Sequence, residues 1–203
     1  MAASTKQFLY HKLHTLLGLF PIGLFVIFHL AANHQATQGP EAYNSVVEMI
    51  ESTPFLIFLE FGFIYIPLLF HAVYGLYLAF LGKQNVNNYG YFRNWMFLLQ
   101  RITGVITLIF VAWHVYETRI QAALGAEVGY EMMHEILSNP AMLGFYILGV
   151  LSTVFHLSNG IWSFLVHWGI TVGPRSQRLA TYLTVGIFVV LSVIGVRAAL
   201  AFA

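Results

Sequence analysis

Long apolar stretches alternate with short polar ones along this chain, and the alternation produces five apolar runs. They cover about residues 13–32, 55–81, 95–118, 141–168 and 179–201. Each is long enough for an α-helix to cross a hydrocarbon core, which takes roughly 20 residues. Between them lie NHQATQGPEAYNSVVEMIESTP, then GKQNVNNYGYFRN, a polar segment over 119–139, and ITVGPRSQR. The pattern predicts an all-α membrane protein with five transmembrane helices in one integral-membrane domain over 1–203. Short surface helices fit the two longer polar segments, the first from Glu41 to Glu51. Pro21 and Pro67 fall inside the first two runs, where a missing N–H interrupts the hydrogen-bond ladder. Lys6 and Lys12 precede the first run as they would in a signal peptide. The run is too long for that, and no clean A-x-A site follows it.

Composition agrees: of 203 residues 59% are hydrophobic and 8% charged, against about a quarter charged in a soluble domain. A formal charge of +1 says nothing about nucleic acid, no basic run suggests it, and no nucleic-acid partner is expected. The absence of cysteine excludes disulfides, thiolate-held iron–sulfur clusters and covalent haem through C-x-x-C-H. No G-x-G-x-x-G follows a strand, so no dinucleotide site is expected. Any flavin or cluster that serves this chain is therefore expected to come from another subunit.

Four histidines stand inside the apolar runs: His29 in FVIFHLAAN, His71 in LLFHAVYG, His114 in VAWHVYET and His156 in STVFHLSNG, at intervals of 42 or 43 residues. Ionisable groups at membrane depth are costly and mark functional sites. With alternating helix direction and about 1.5 Å of rise per residue, His71 and His156 fall together roughly 23 Å below the outer ends of their helices. His29 and His114 fall together near the top. Two couples at two depths suit two b haems held in the bundle of the first four helices, each iron taking two imidazoles. A structural zinc site would need four ligands at one point. Gly75 and Gly160 each follow an inner histidine by four residues, leaving clearance on the same face for a flat macrocycle or for a close helix neighbour. His11, His14, His34, His134 and His167 read as interfacial.

Charge gives a sidedness. Lys6, Lys12, Lys83, Arg93, Arg101, Arg175 and Arg178 lie on one side, with only Arg119 and Arg197 opposite. Short loops rich in Lys and Arg stay cytoplasmic, so the N-terminus is expected inside and the C-terminus outside. Arg101 points away from the ligand face and reads as snorkelling to the inner interface. Glu60 precedes His71 by about three turns on the same side, which raises it to the level of the outer couple. There a carboxylate suits proton exchange with a quinol, or simply a helix start. Glu117, three residues after His114, is a second quinone candidate.

The stretches LHTLLGLFPIGLFVIFHL, PLLFHAVYGLYLAF, YFRNWMFLLQRITGVITLIFVAWHVYETR and PAMLGFYILGVLSTVFHLSNGIWSF closely resemble the dihaem cytochrome b membrane anchors of succinate:menaquinone oxidoreductases and related fumarate reductases, of the single-anchor type. The resemblance covers nearly the whole chain and includes all four histidines. It implies a bacterial cell membrane, an iron–sulfur subunit and a flavoprotein subunit on the cytoplasmic face, and menaquinone as electron acceptor near the outer side. Some fumarate reductases of this type carry a proton-conducting glutamate two residues before the fourth histidine. Here that position is Val154. Other readings are the dihaem anchor of a different quinone-linked enzyme, such as a hydrogenase or formate dehydrogenase, and a transporter using its histidines as a proton or metal path.

Overall fold

The computed structural model describes residues 5–203, and the regular structure among them is helical. In chain order the elements are α1 (Thr5–Gln38), α2 (Pro40–Glu51), α3 (Leu56–Leu81), α4 (Phe92–Ala123), α5 (Tyr130–Leu137), α6 (Pro140–His167) and α7 (Pro174–Phe202). Of these, α1, α3, α4, α6 and α7 are long and apolar enough to cross a membrane. Both expected surface helices are present, as α2 and α5.

The sequence explains where the elements start and how they are interrupted. Prolines at positions 40, 140 and 174 open their helices, where an N–H would have no partner in any case. Ahead of Pro140, the Asn139 Oδ1 accepts from the N–H of Ala141 at 2.9 Å, capping α6. Pro21 divides α1 into Thr5–Leu19 and Pro21–Asn33. Upstream of Pro67, α3 widens into a π turn over Glu60–Tyr65, the kind of adjustment that follows a lost ladder bond. A second π turn, Tyr116–Ile120, carries α4 on to Ala123, past the expected end near residue 118. At its start α1 takes in TKQFLYHK, which was expected to precede the helix.

Around the bundle, α1 packs on α3, α3 on α4, α4 on α6 and α6 back on α1, which sets α1 diagonal to α4 and α3 diagonal to α6. Outside this ring, α7 lies along α6 and against the second half of α1. Phe58, Leu69, Phe80, Leu179 and Val190 are exposed on the periphery, as side chains that face lipid should be. One end of the bundle is capped by α2, α5 and the C-terminal turn of α7. There Tyr43 meets Phe202 at 4.9 Å between ring centroids, and the Tyr130 hydroxyl donates to the Ala201 carbonyl at 2.7 Å. The opposite end carries the start of α1 and the two short turns, between α3 and α4 and between α6 and α7.

Small residues set how closely the helices approach, as is usual where lipid removes the hydrophobic drive between them. A Cβ on Gly149 of α6 would lie 2.2 Å from the Phe110 ring of α4, and one on Gly195 of α7 would lie 2.6 Å from Val150. Gly149→Val is therefore expected to destabilise the subunit by roughly 1–3 kcal/mol, the usual cost of overpacking. Thermal inactivation of the detergent-solubilised complex, which should set in at lower temperature, checks this.

Candidate functional site

His71 of α3 faces His156 of α6, with ring centroids 6.1 Å apart and planes at 87°. Each ring has one nitrogen tied to backbone. His71 Nδ1 lies 3.0 Å from the carbonyl oxygen of His14, and His156 Nδ1 lies 3.1 Å from that of Gln100. A carbonyl only accepts, so Nδ1 carries the proton in both rings and the lone pair stays on Nε2.

The two carbonyls are reached in the same way. Gly18 follows His14 by one helical hydrogen bond, and Gly104 follows Gln100 by one. A Cβ on Gly18 would fall 2.4 Å from His71 Cε1, and one on Gly104 would fall 2.9 Å from His156 Cε1. The missing side chain lets the imidazole enter beside the helix and meet the carbonyl four residues back. Gln100 adds to the hold on α6, donating from Nε2 to the His156 carbonyl at 3.0 Å and accepting from Asn159 Nδ2 at 2.7 Å.

His29 of α1 faces His114 of α4 at 5.7 Å between centroids and 70° between planes. Eleven residues separate His29 from Gly18 along α1, which puts this couple about 16 Å closer to the capped end. Its side-chain partners differ from those of the first couple. His114 Nδ1 lies 3.3 Å from the Tyr146 hydroxyl, which donates to Glu117 Oε2 at 3.0 Å. Phe110 stacks one turn before His114, at 5.8 Å. Asn33 Nδ2 donates to the His29 carbonyl at 2.8 Å and stands 3.4 Å from His29 Nε2.

The remaining candidate residues are dispersed. Gly75 faces His14, whose Cε1 would be 3.1 Å from an added Cβ, and Gly160 faces Gln100 at 3.6 Å. The glycines that lie against ligand-candidate rings are Gly18 and Gly104, which the sequence reading missed. The interfacial reading of His14 is corrected, because its ring lies parallel to His71 at 4.0 Å inside the bundle, in the room left by Gly75. His34 and His134 instead sit on the carbonyls of Ile194 and Phe202, tying the capped end to α7. Glu60 pairs with Arg119, both of whose contacts, from Nε at 3.2 Å and Nη2 at 2.8 Å, fall on Oε2. Arg119 had been assigned only a place in the charge count. The Arg101 guanidinium packs on Phe97 and against Gly82, away from both couples.

This donor set fits iron between paired imidazoles. Two metal–imidazole bonds of about 2 Å, with the half-ring on either side, put ring centroids roughly 6 Å apart, close to both observed separations. Among the described residues no three His, Cys, Asp or Glu side chains converge on a point. Each couple offers two imidazole nitrogens, a set that suits an iron whose other positions are filled by a planar macrocycle.

Fold and site define a multi-span helical membrane protein with intramembrane imidazoles in facing couples. A family model described as Succinate dehydrogenase/Fumarate reductase transmembrane subunit matches residues 83–195. The chain is also 58% identical over 200 residues to the succinate dehydrogenase cytochrome b558 subunit of Bacillus subtilis (strain 168), covering 98% of this chain and 99% of that one. It belongs to this family, as a cytochrome b membrane subunit of a succinate dehydrogenase complex, and haem b is its cofactor. Membership favours the succinate dehydrogenase reading over the transporter and the anchors of other quinone-linked enzymes.

Gly104→Val should push the His156 ring out of place while leaving the His29–His114 couple intact. A pyridine haemochrome assay on the purified complex is expected to show haem b per complex reduced but not abolished.

Proposed function

We propose that the chain carries electrons from an iron–sulfur subunit at the N-terminal end, through two b haems held by His71 with His156 and by His29 with His114, to menaquinone near the capped end. The gathering of basic residues at the N-terminal end supports a cytoplasmic N-terminus and an outer C-terminus in a bacterial cell membrane. On that cytoplasmic face the iron–sulfur subunit docks, together with a flavoprotein subunit that oxidises succinate. Bound haem supplies one-electron transfer, and two imidazoles per iron leave no open position for oxygen chemistry.

The observation that carries this reading is the state of the facing rings. In the couple nearer the N-terminal end, both Nδ1 atoms are held by carbonyls and both Nε2 lone pairs are free. A ligand of this kind has its tautomer and ring angle set before the metal arrives. At the capped end the groups suited to menaquinone are Glu60 and Arg119, each contributed by a π turn, a form common at functional sites. Arg119 offers N–H donors to a quinone oxygen, and Glu60 a carboxylate that exchanges protons with it. Glu117 is a second carboxylate at that level.

In the reduced-minus-oxidised visible spectrum of the complex, two b-type components are expected. His71→Ala should remove one and spare most of the other, and His29→Ala should do the reverse. A spectrum without haem bands, or the same component lost in both variants, would refute the pairing. Glu60→Gln is expected to slow reduction of a soluble menaquinone analogue by on the order of 10²-fold, the scale of one proton-transfer group, with the haem spectrum unchanged. Full activity in that variant would remove Glu60 from the quinone site.

A further inference from the structure

The imidazoles fall into two kinds by what their Nδ1 atoms meet. His71 and His156 end on neutral backbone carbonyls, those of His14 and Gln100. His114 meets a side chain that leads on to a carboxylate. The Tyr146 hydroxyl donates its one proton to Glu117 Oε2 at 3.0 Å. Its oxygen is therefore left to accept from His114 Nδ1–H, 3.3 Å away. The chain of donors has one direction, from imidazole N–H through the phenol to the carboxylate.

The surroundings hold this chain in place. Tyr146 is 4% exposed, packed in the apolar cluster with Phe110, Leu137 and Phe202. Phe110 fits against Gly149, one turn from Tyr146 on α6, and stacks on the His114 ring. Glu117 stands in the π turn that begins at Tyr116, directly after His114 and its neighbour. The Thr118 hydroxyl donates to the His114 carbonyl at 2.6 Å, fixing the backbone of that turn.

Building on the haem ligation proposed above, we infer that Tyr146 and Glu117 are positioning residues that hold His114 as an electron-rich ligand and so lower the potential of the haem at the capped end. A partner that draws the Nδ1 proton raises the basicity of the opposite nitrogen, and a more basic ligand favours the oxidised iron. Because the chain ends in a carboxylate, its pull exceeds that of the neutral carbonyls on the other couple. Neither residue touches iron or quinone in this role, since both act through His114.

The test is a potentiometric titration of the intact membrane-bound complex, followed in the visible α-band, on wild type, Tyr146→Phe, Glu117→Gln and the double variant. Tyr146→Phe and Glu117→Gln are each expected to shift the midpoint of the capped-end haem upward and leave the other midpoint in place. The double variant is expected to match Tyr146→Phe, because Glu117 acts only through the phenol. Glu117→Gln keeps the side-chain shape, so the question remains answerable if Tyr146→Phe assembles poorly. An unmoved midpoint in Glu117→Gln, or equal shifts of both haems, overturns the inference while leaving the ligation intact. A wild-type complex without two six-coordinate b-type signals refutes the ligation itself.

Discussion

A buried imidazole has two nitrogens, and this bundle is organised around what happens to the one that does not face its partner. In hydrocarbon an unpartnered N–H costs on the order of a few kcal/mol, and at membrane depth there is no water to supply an acceptor. The helix crossing behind each inner ring supplies one from its own backbone. A carbonyl inside a helix is already engaged but retains a second lone pair, and side chains normally shield it. Where α1 passes His71 the shield is absent at Gly18, and where α4 passes His156 it is absent at Gly104. One glycine thus allows close approach, satisfies the N–H and fixes the tautomer. Substituting it would disturb all three together.

The same logic explains a regularity that runs through all four helices. Ten or eleven residues before its own histidine, each helix passes the level of the other couple. At that point α1 carries Gly18, α4 carries Gly104, α3 carries Glu60 and α6 carries Tyr146. On α1 and α4 the position faces a ring that needs room, and it is glycine. On α3 and α6 it is polar, with Tyr146 against His114 and Glu60 against Arg119. The histidine rhythm is therefore half of a longer pattern, whose other half is the residue opposing the neighbouring couple.

Much of this was legible in the sequence, because hydropathy sets the spans and rise per residue sets the depth of each histidine. The five helices, the diagonal arrangement and the facing of His29 with His114 and His71 with His156 follow from those two rules. What could not be read depends on rotation about the helix axis. Glycine serves many purposes in membrane helices, so Gly75 and Gly160, four residues after a histidine, stood out while Gly18 and Gly104, on the neighbouring helices, did not. His14 looked interfacial because it stands near Lys12 and the chain start, although α1 begins earlier, at Thr5, and carries it inward. The two π turns each alter the residue count per turn, so side chains beyond them leave the faces that a 3.6-residue period assigns. Arg119 lies within one of these turns and Glu60 opens the other, and their pairing was hidden for that reason.

The two ends of the bundle consequently differ in chemical kind. Toward the N-terminal end the rings are held by backbone, which bears no net charge and cannot gain or lose a proton. Toward the capped end the neighbouring groups are carboxylates, a phenol and a guanidinium, placed by turns that depart from regular helix. Backbone acceptors suit a centre that only passes electrons, since the groups that hold its rings do not gain or lose protons. Ionisable side chains suit a centre next to a quinone, where every electron pair delivered must be matched by protons. Val154, fully buried between Leu30 and Leu191, continues the division, because it leaves the middle of α6 without a carboxylate to join the ends. In the function proposed above, proton exchange belongs at the level of His29 and His114, where Glu60 and Arg119 stand.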